Sequence, residues 1–583
     1  MYRTDGSINP QRLALVLSVA VLLLWLLSGT ASTTRRSSDV IEEFVSEPHI
    51  VVIGTGPTGL GAAWRLHELG YKNFTVVEST SDTGGLAKSV VDNNGFTWDH
   101  GVHVLFSHFT YFDSMLDMAL PNQEDWFHHN RSSPAWMRNR FVGYPVQNNV
   151  WQLPEADLME CLDGLVDLTR TLASGNFSKP ANFKEWVDLS FGAGIGKQFM
   201  HPYNFKVWAH TTEKLNTQWV GERVATVDPK KILHNLVYKV KDVTWGPNAV
   251  FRYPKHGSGH IWDALIAKIP KARIFLGKRV TALHTGAGKQ QGGRKLSFAD
   301  GTSLQYDRLV STMPIDKLLR MSDSSELRAA GSVEGAFKYQ TVNLVGIGIE
   351  GNISQHLSSV QWVYFPEEEF VFYRLTVLSN FSPYMVKKPY QQYSIVCEVS
   401  ESKYRVVDQS TIVEDVVRGL KKSGFVQPDA VFATKWHERF EYGYPVPYVG
   451  RDEHVHHADE LLQRARVWSR GRFGSWKYEV ANQDHSFMLG VQAVNNILFG
   501  AEETTFRSLS TCVCVCVCMC VCVGVCVCVC ALVGHFSLFQ CITGAFEREM
   551  TPPKHTHTQK QTNSRICTAL SHTHSQTHTH TLL

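Results

Sequence analysis

The stretch from His49 to Glu78 constrains the fold more than any other part of the chain. HIVVIG is a short apolar, β-branched run of the kind that forms a strand buried on both faces. GTGPTGLG follows at once, AAWRLHEL then has helical periodicity, and FTVVE reads as a second strand. Gly54, Gly56 and Gly59 thus form G-x-G-x-x-G between strand and helix, and Glu78 lies 19 residues beyond Gly59. Glycines in this pattern permit a tight turn, backbone approach to a pyrophosphate and close helix–strand packing. The helix N-terminus faces the phosphates, and an acid at this distance accepts both hydroxyls of a ribose. The order points to a bound dinucleotide.

Composition narrows the class. With 43% hydrophobic and 19% charged residues over 583 positions, the chain is too apolar to be mostly disordered. Fifty-seven basic against 54 acidic residues give a net charge of +3, which excludes a dominant nucleic-acid surface. Only Cys161 and Cys397 of the 13 cysteines precede residue 511. No disulfide framework and no metal-ligand spacing is expected in the body.

Later segments point to FAD rather than NAD. Gly84-Gly85-Leu86-Ala87 stands just beyond the acid, where flavoproteins similar to amine oxidases bring backbone close to the cofactor. Arg279-Val280-Thr281 resembles the strand whose backbone meets the adenine, and LVSTM (309–313) resembles the returning strand. Gly490 is expected to open a helix, GVQAVNNILFGAEE, against the flavin. Substrate segments lie between these parts. PEADLMECLDGLVDLTRTL, from Pro154, carries Leu158, Cys161, Leu162, Leu165 and Leu168 on one helical stripe, a core face. Residues 337–350 and 360–400 are β-rich and read as an antiparallel sheet. The fold class expected is α/β: a Rossmann-like FAD-binding domain with an inserted helical domain (about 110–240) and an antiparallel substrate sheet (about 337–450), within a catalytic unit at 48–506.

The ends are of another kind. Residues 13–29 form a Leu-rich run that reads as an uncleaved membrane anchor, with a cleaved signal peptide as the rival; 30–47 read as a linker. Asn73-Phe-Thr and Asn130-Arg-Ser are glycosylation sequons at a core strand and beside a site arginine, which favours a cytosolic over a luminal catalytic unit. Residues 512–530 read CVCVCVCMCVCVGVCVCVC and the last stretch alternates His and Thr, as translated TG and CA dinucleotide repeats would. A second apolar span and a metal-binding tail are the functional alternatives for 511–583.

Longer strings carry a closer resemblance. FSHFTYFD (106–113), YPVQNN (144–149), PYNFKVWA (202–209), GERVA (221–225), WGPNA (245–249), SRGRFGSW (469–476) and NQDHSFMLG (482–490) make residues 48–505 similar to eukaryotic-type UDP-galactopyranose mutases. The resemblance implies a redox-neutral interconversion of UDP-galactopyranose and UDP-galactofuranose. In that family reduced flavin attacks the anomeric carbon through N5, UDP leaves, the adduct opens and recloses as the other ring, and UDP returns to the anomeric carbon as the flavin is released. NADPH or NADH serves only as the activating reductant.

Site residues follow residue by residue from the same resemblance. Arg223 and Arg374 match the pair of diphosphate arginines, a role suited to guanidinium. His103, in GVHVLFSH, matches a histidine beside the isoalloxazine. Tyr364, Tyr444 and Tyr478 match diphosphate-bonding tyrosines. Tyr144, Gln147, Asn204 and Trp208 match uridine and substrate positions, and Arg131, Asn248 and Trp362 match the rest of the substrate wall. FAD contacts are assigned to Gly54, Gly56, Thr58, Gly59, Glu78, Ser79, Gly85, Leu86, Gly101, Val280, Arg472, Asn482, Gln483 and Ser486, and none to a metal. A homo-oligomer and membrane association complete the expected partners. One departure bears on function: Val102 stands where the family has a glycine before the histidine, and a β-branched residue resists positive φ. Two other readings are carried: an FAD oxidoreductase of amine-oxidase type, and a UDP-sugar-binding protein that has lost turnover.

Overall fold

The computed structural model describes residues 47–507 except 102, 176, 227, 243–248 and 287–292, together with the backbone of four short strands between 517 and 536. The chain divides into two compact units, Met1–Thr511 and Cys512–Leu583. In the second, Val517–Val521 pairs antiparallel with Val525–Val529, and Ala531–Leu532 with His535–Phe536. The expected anchor or signal at 13–29 lies outside the described residues. Among those described, no helix is long and apolar enough to cross a membrane.

In the first unit the opening motif folds as its pattern requires. Strand β1 (Ile50–Ile53) is buried throughout, helix α1 spans Pro57–Glu68, and β2 is Phe74–Val77. Strands β3 (Ile274–Phe275), β4 (Arg308–Ser311) and β5 (Val467–Ser469) complete a parallel sheet in the order β5-β4-β1-β2-β3. Gly54 adopts φ +103°, and a Cβ on Gly59 would stand 1.9 Å from the Gly54 carbonyl oxygen, so the turn and the helix it feeds close only with glycine at both positions. Leu60 and Leu66 of α1 are fully buried; each such side chain contributes roughly 2 kcal/mol.

The inserted region holds helices α2 (Glu155–Ser174), α3 (Phe183–Ile195) and α4 (His201–Trp208). On α2 the expected stripe is buried at Cys161, Leu165 and Leu168, with Leu158 and Leu162 packed beside it. The insertion is not purely helical. Ala135–Met137 and Arg140–Val142 join the edge of a seven-stranded sheet whose other strands are Tyr339–Glu350, Trp362–Tyr364, Arg374–Val377, Gln392–Glu401 and Phe432–Pro445. All neighbours in this sheet are antiparallel except Trp362–Tyr364 with Ala135–Met137.

Helix α5 (Gln483–Phe499) corrects one expectation. Asn482 is its N-cap, so Gly490 lies mid-helix rather than at its start. The glycine serves close packing instead. A Cβ there would meet the Thr58 carbonyl oxygen at 1.9 Å and the Ala62 nitrogen at 2.7 Å, so its absence lets α5 cross against α1.

Candidate functional site

Register in the antiparallel sheet places a row of side chains on one face. Tyr364 pairs with Arg374, Arg374 with Glu398, Glu398 with Leu344, and Leu344 with Glu438. Alternation along the last strand adds Phe440, Tyr442 and Tyr444 to the same wall. From the helical side, a π-helical turn (Gly196–Met200) runs into α4. Residues 199, 200, 203, 204, 207 and 208 then share a face at helical spacing and all border a pocket.

Three cavities lie in line. The first, about 690 Å³, is bordered by Gly54, Gly56, Thr58, Glu78, Ser79, Gly85 and Ser486. The central one, about 220 Å³, shares Leu86, His103, Arg472 and Gln483 with it, and adds Gly101, Trp362 and Asn482. The third, about 130 Å³, holds Tyr144, Gln147, Asn204 and Trp208, and shares Arg223, Arg374, Tyr364, Tyr444 and Tyr478 with the central cavity. Among the described residues, none borders both the first and the third.

The first cavity suits a dinucleotide. The N-terminus of α1 opens on it with Gly56 as cap, no side-chain cap bond and no acid in its first turn, which leaves backbone donors for an anion. Glu78 accepts from the Thr55 backbone N–H and from Ser79 and Thr80, which fixes its carboxylate at the cavity edge. Farther along, Gln483, which borders both cavities, and Asn482, which borders the central one, carry amide nitrogens (Nε2 and Nδ2) that are buried without a protein partner. Gly59 and Val280 do not border the cavity: Gly59 is a packing position, and the Val280 side chain lies in the core with Leu283 and Leu309.

At the second junction two guanidinium groups converge. Arg374 donates from Nε and Nη2 to the two carboxylate oxygens of Glu398 at 2.8 and 2.7 Å, and Nη2 reaches the Tyr444 hydroxyl at 3.4 Å. Burial is the largest single influence and opposes its charge, but Glu398 together with Tyr444, Tyr373 and Tyr203 more than offsets it and raises the guanidinium well above its ordinary range. Arg223 donates to Asn482 Oδ1 at 2.6 Å and to the Glu479 carbonyl at 2.8 Å, with its guanidinium 5.3 Å from the Tyr478 ring centre. Tyr478 packs edge-on against Trp208 at 4.7 Å and Tyr444 at 5.5 Å. Arg472 lies 4.5 Å over the Tyr444 ring and donates to the Ala481 carbonyl at 3.1 Å.

His103 is neutral here. Burial first, then Arg472 and His100, push its imidazole down to about 3, and Nε2 contacts the Leu86 carbonyl at 3.1 Å. In the third cavity Gln147 Nε2 donates to the Ala225 carbonyl at 3.2 Å, while its Oε1 and the Trp208 Nε1 are buried without partners. Asn204 Nδ2 donates to the Met200 carbonyl at 2.8 Å. Arg131 stands behind the lining, 5.3 Å from the ring centres of both Tyr144 and Trp362, and donates to Ser133 at 2.8 Å. Asn248 and Val102 lie outside the described residues.

Glu398, Tyr203 and His100 also border the site and were not among the residues expected there. Glu398 is 2% exposed and also accepts from the Tyr373 hydroxyl at 2.5 Å. Its signal was available: one carboxylate within an otherwise apolar strand, YSIVCEVS. Tyr203 borders the third cavity and stacks on Phe199 at 5.2 Å.

The described site stands beside clear relatives. The chain matches the family of flavin containing amine oxidoreductases over residues 57–506. A solved structure of reduced UDP-galactopyranose mutase is 43% identical, covers 80% of this chain and 97% of its own, and superposes with a TM-score of 0.75. Cyclohexylamine oxidase from Brevibacterium oxydans, at 14% identity over 78% of this chain and 99% of its own and a TM-score of 0.55, shares the fold. Protoporphyrinogen oxidase 2, chloroplastic/mitochondrial, of Arabidopsis thaliana is 37% identical over 104 residues, 18% of this chain and 20% of its own length.

Proposed function

Because the chain belongs to the flavin containing amine oxidoreductases and, within them, to the UDP-galactopyranose mutases, we propose that it is an FAD-dependent isomerase interconverting UDP-galactopyranose and UDP-galactofuranose. One observation carries the reading: a dinucleotide cavity, a central cavity and an aromatic pocket lie in line, with Arg223 and Arg374 at the second junction. That order matches cofactor, sugar and uridine diphosphate laid end to end.

Bound FAD in its reduced form supplies the nucleophile for the anomeric carbon, and NADPH or NADH supplies the reducing equivalents once. Gly54, Gly56 and Thr58 hold its pyrophosphate, Glu78 its ribose, and Leu86, Arg472, Asn482, Gln483 and Ser486 its flavin end. The chain's own work is to hold a detached diphosphate. Arg374 presents a guanidinium fixed by Glu398, and Arg223 one fixed by Asn482 and the Glu479 carbonyl. Neither has to reorganise as charge develops on the leaving group, which is the condition under which electrostatic stabilisation is largest. Tyr364, Tyr444 and Tyr478 add hydroxyls, while Tyr144, Gln147, Asn204 and Trp208 bind the uridine. His103, neutral at working pH, takes part as a hydrogen-bonding group rather than as a charge. The same proposal keeps the catalytic unit on the cytosolic side of a membrane held by residues 13–29, which protease protection of sealed vesicles would test.

An amine oxidase of this fold has no use for two guanidinium groups at the end of its cavity. Calorimetric titration separates the two readings. UDP should bind the holoenzyme and lose at least about tenfold in affinity in Arg223→Ala, since a charge-assisted bond contributes more than about 1.4 kcal/mol. Bleaching of oxidised flavin by amines without any UDP affinity would overturn the mutase reading.

A further inference from the structure

His100 is a buried group that this reading leaves unused. Its side chain is 7% exposed, and neither ring nitrogen has a hydrogen-bond partner. It borders both the dinucleotide cavity and the central cavity and so stands at the seam between them. Three contacts fix it. Its backbone N–H donates to the Lys88 carbonyl at 3.2 Å, its ring packs 4.7 Å from that of Phe440, and Glu438 Oε2 stands 3.4 Å from Nε2 without hydrogen-bond geometry. Glu438 belongs to the same cross-strand row as Arg374. A buried imidazole whose Nδ1 has no partner and whose Nε2 has only a long contact to a carboxylate is costly unless something completes it.

We propose that His100 contacts bound FAD at this seam, donating a hydrogen bond from its ring while Glu438, beside Nε2, orients the ring. The inference rests on the FAD part of the proposed function. His103 does not compete for the role, because its Nε2 is committed to the Leu86 carbonyl. Lys88, a cation near Glu438, is paired with Asp82 at 2.6 Å. A donor next to a group that gains electron density on reduction favours the reduced form over the oxidised one.

The test titrates full-length apoprotein with oxidised and with dithionite-reduced FAD, reading tryptophan quenching, in wild type, His100→Leu, His100→Gln and Glu438→Gln. The expected result is that Leu weakens reduced FAD about tenfold more than oxidised FAD, a drop of about 30 mV in the two-electron midpoint. Gln, still a donor, restores part of the loss, and Glu438→Gln falls between. Thermal melting of each apoprotein checks that the variants fold. Unchanged affinity for both redox forms in His100→Leu would overturn the proposal, as would equal losses for both forms in Leu and Gln, which would make His100 a packing residue. Sugar turnover is not read. Absent mutase activity with an intact His100 effect therefore sinks the proposed function alone, whereas a wild type without FAD affinity overturns both.

Discussion

Arg374 and Glu398 are direct cross-strand partners joined by two hydrogen bonds, 2.8 and 2.7 Å, in a strand pair where Glu398 is 2% exposed. The pair turns a mobile side chain into a fixed one whose remaining guanidinium edge faces the cavity. Removing one member leaves the other charge buried and unmatched, at a cost of about 3–5 kcal/mol. Glu398→Ala is therefore expected to lower the urea midpoint markedly and to raise the KM for UDP-sugars. Arg374→Lys should also lower kcat, because an ammonium cannot bridge both carboxylate oxygens. Urea titration and steady-state kinetics on the two variants check this.

Helix α5 crosses α1 at a point that has no room for a methyl group, since a Cβ on Gly490 would sit 1.9 Å from the Thr58 carbonyl oxygen. Gly490→Ala should push the helices apart and carry Thr58, Asn482 and Gln483 out of position. The expected outcome is a protein that purifies with much less FAD than wild type, measured by flavin absorbance against protein. Stability should fall by about 1–3 kcal/mol.

His103 gives stability a defined pH dependence. Its folded value, about 3, lies below the ordinary 6.5, because burial and then Arg472 disfavour the cation. The unfolded chain therefore binds more protons between these limits, so its contribution is full above about pH 6.5 and is lost as pH falls toward 3. His103→Gln should show a shallower loss of stability than wild type from about pH 7.5 down to about pH 5 in urea titrations.

The C-terminal border of the catalytic unit rests on one buried arginine. Arg470 is bonded to Glu503 at 2.5 and 2.7 Å and to Asp459 at 2.7 Å, and lies 3.9 Å over the Phe506 ring. A chain ending at Arg507 keeps both Glu503 and Phe506 against Arg470. One ending at Gly500 should lose about 3–5 kcal/mol, because Arg470 is left without the Glu503 carboxylate. Scanning calorimetry on both truncations checks it.

The dinucleotide half of the fold was legible because its signals are local. Strand, glycine turn, helix and acid follow one another within 30 residues, and the stripe on α2 repeats at helical spacing. The start of the helix at 483–499 is hidden in the sequence, because Gly490 looks like a boundary when its function is close approach to a distant helix. Glu398 and His100 were missed for a related reason. Their meaning comes from register across four strands and from a wall contributed by another segment, which single-sequence periodicity does not carry. The arginines and tyrosines were named from long family strings, and the sheet shows why Tyr364, Arg374 and Tyr444 stand together: they share one face.

Turnover of the sugar nucleotide tests the central claim most directly. Full-length protein, reduced with dithionite, is incubated with UDP-galactofuranose and the products are separated by chromatography. The mutase assignment requires UDP-galactopyranose from the reduced enzyme, none from the oxidised enzyme, and a loss of at least about a hundredfold in Arg374→Ala, the scale of removing one preorganised charge. Tight UDP binding with no conversion by the reduced holoenzyme would contradict it.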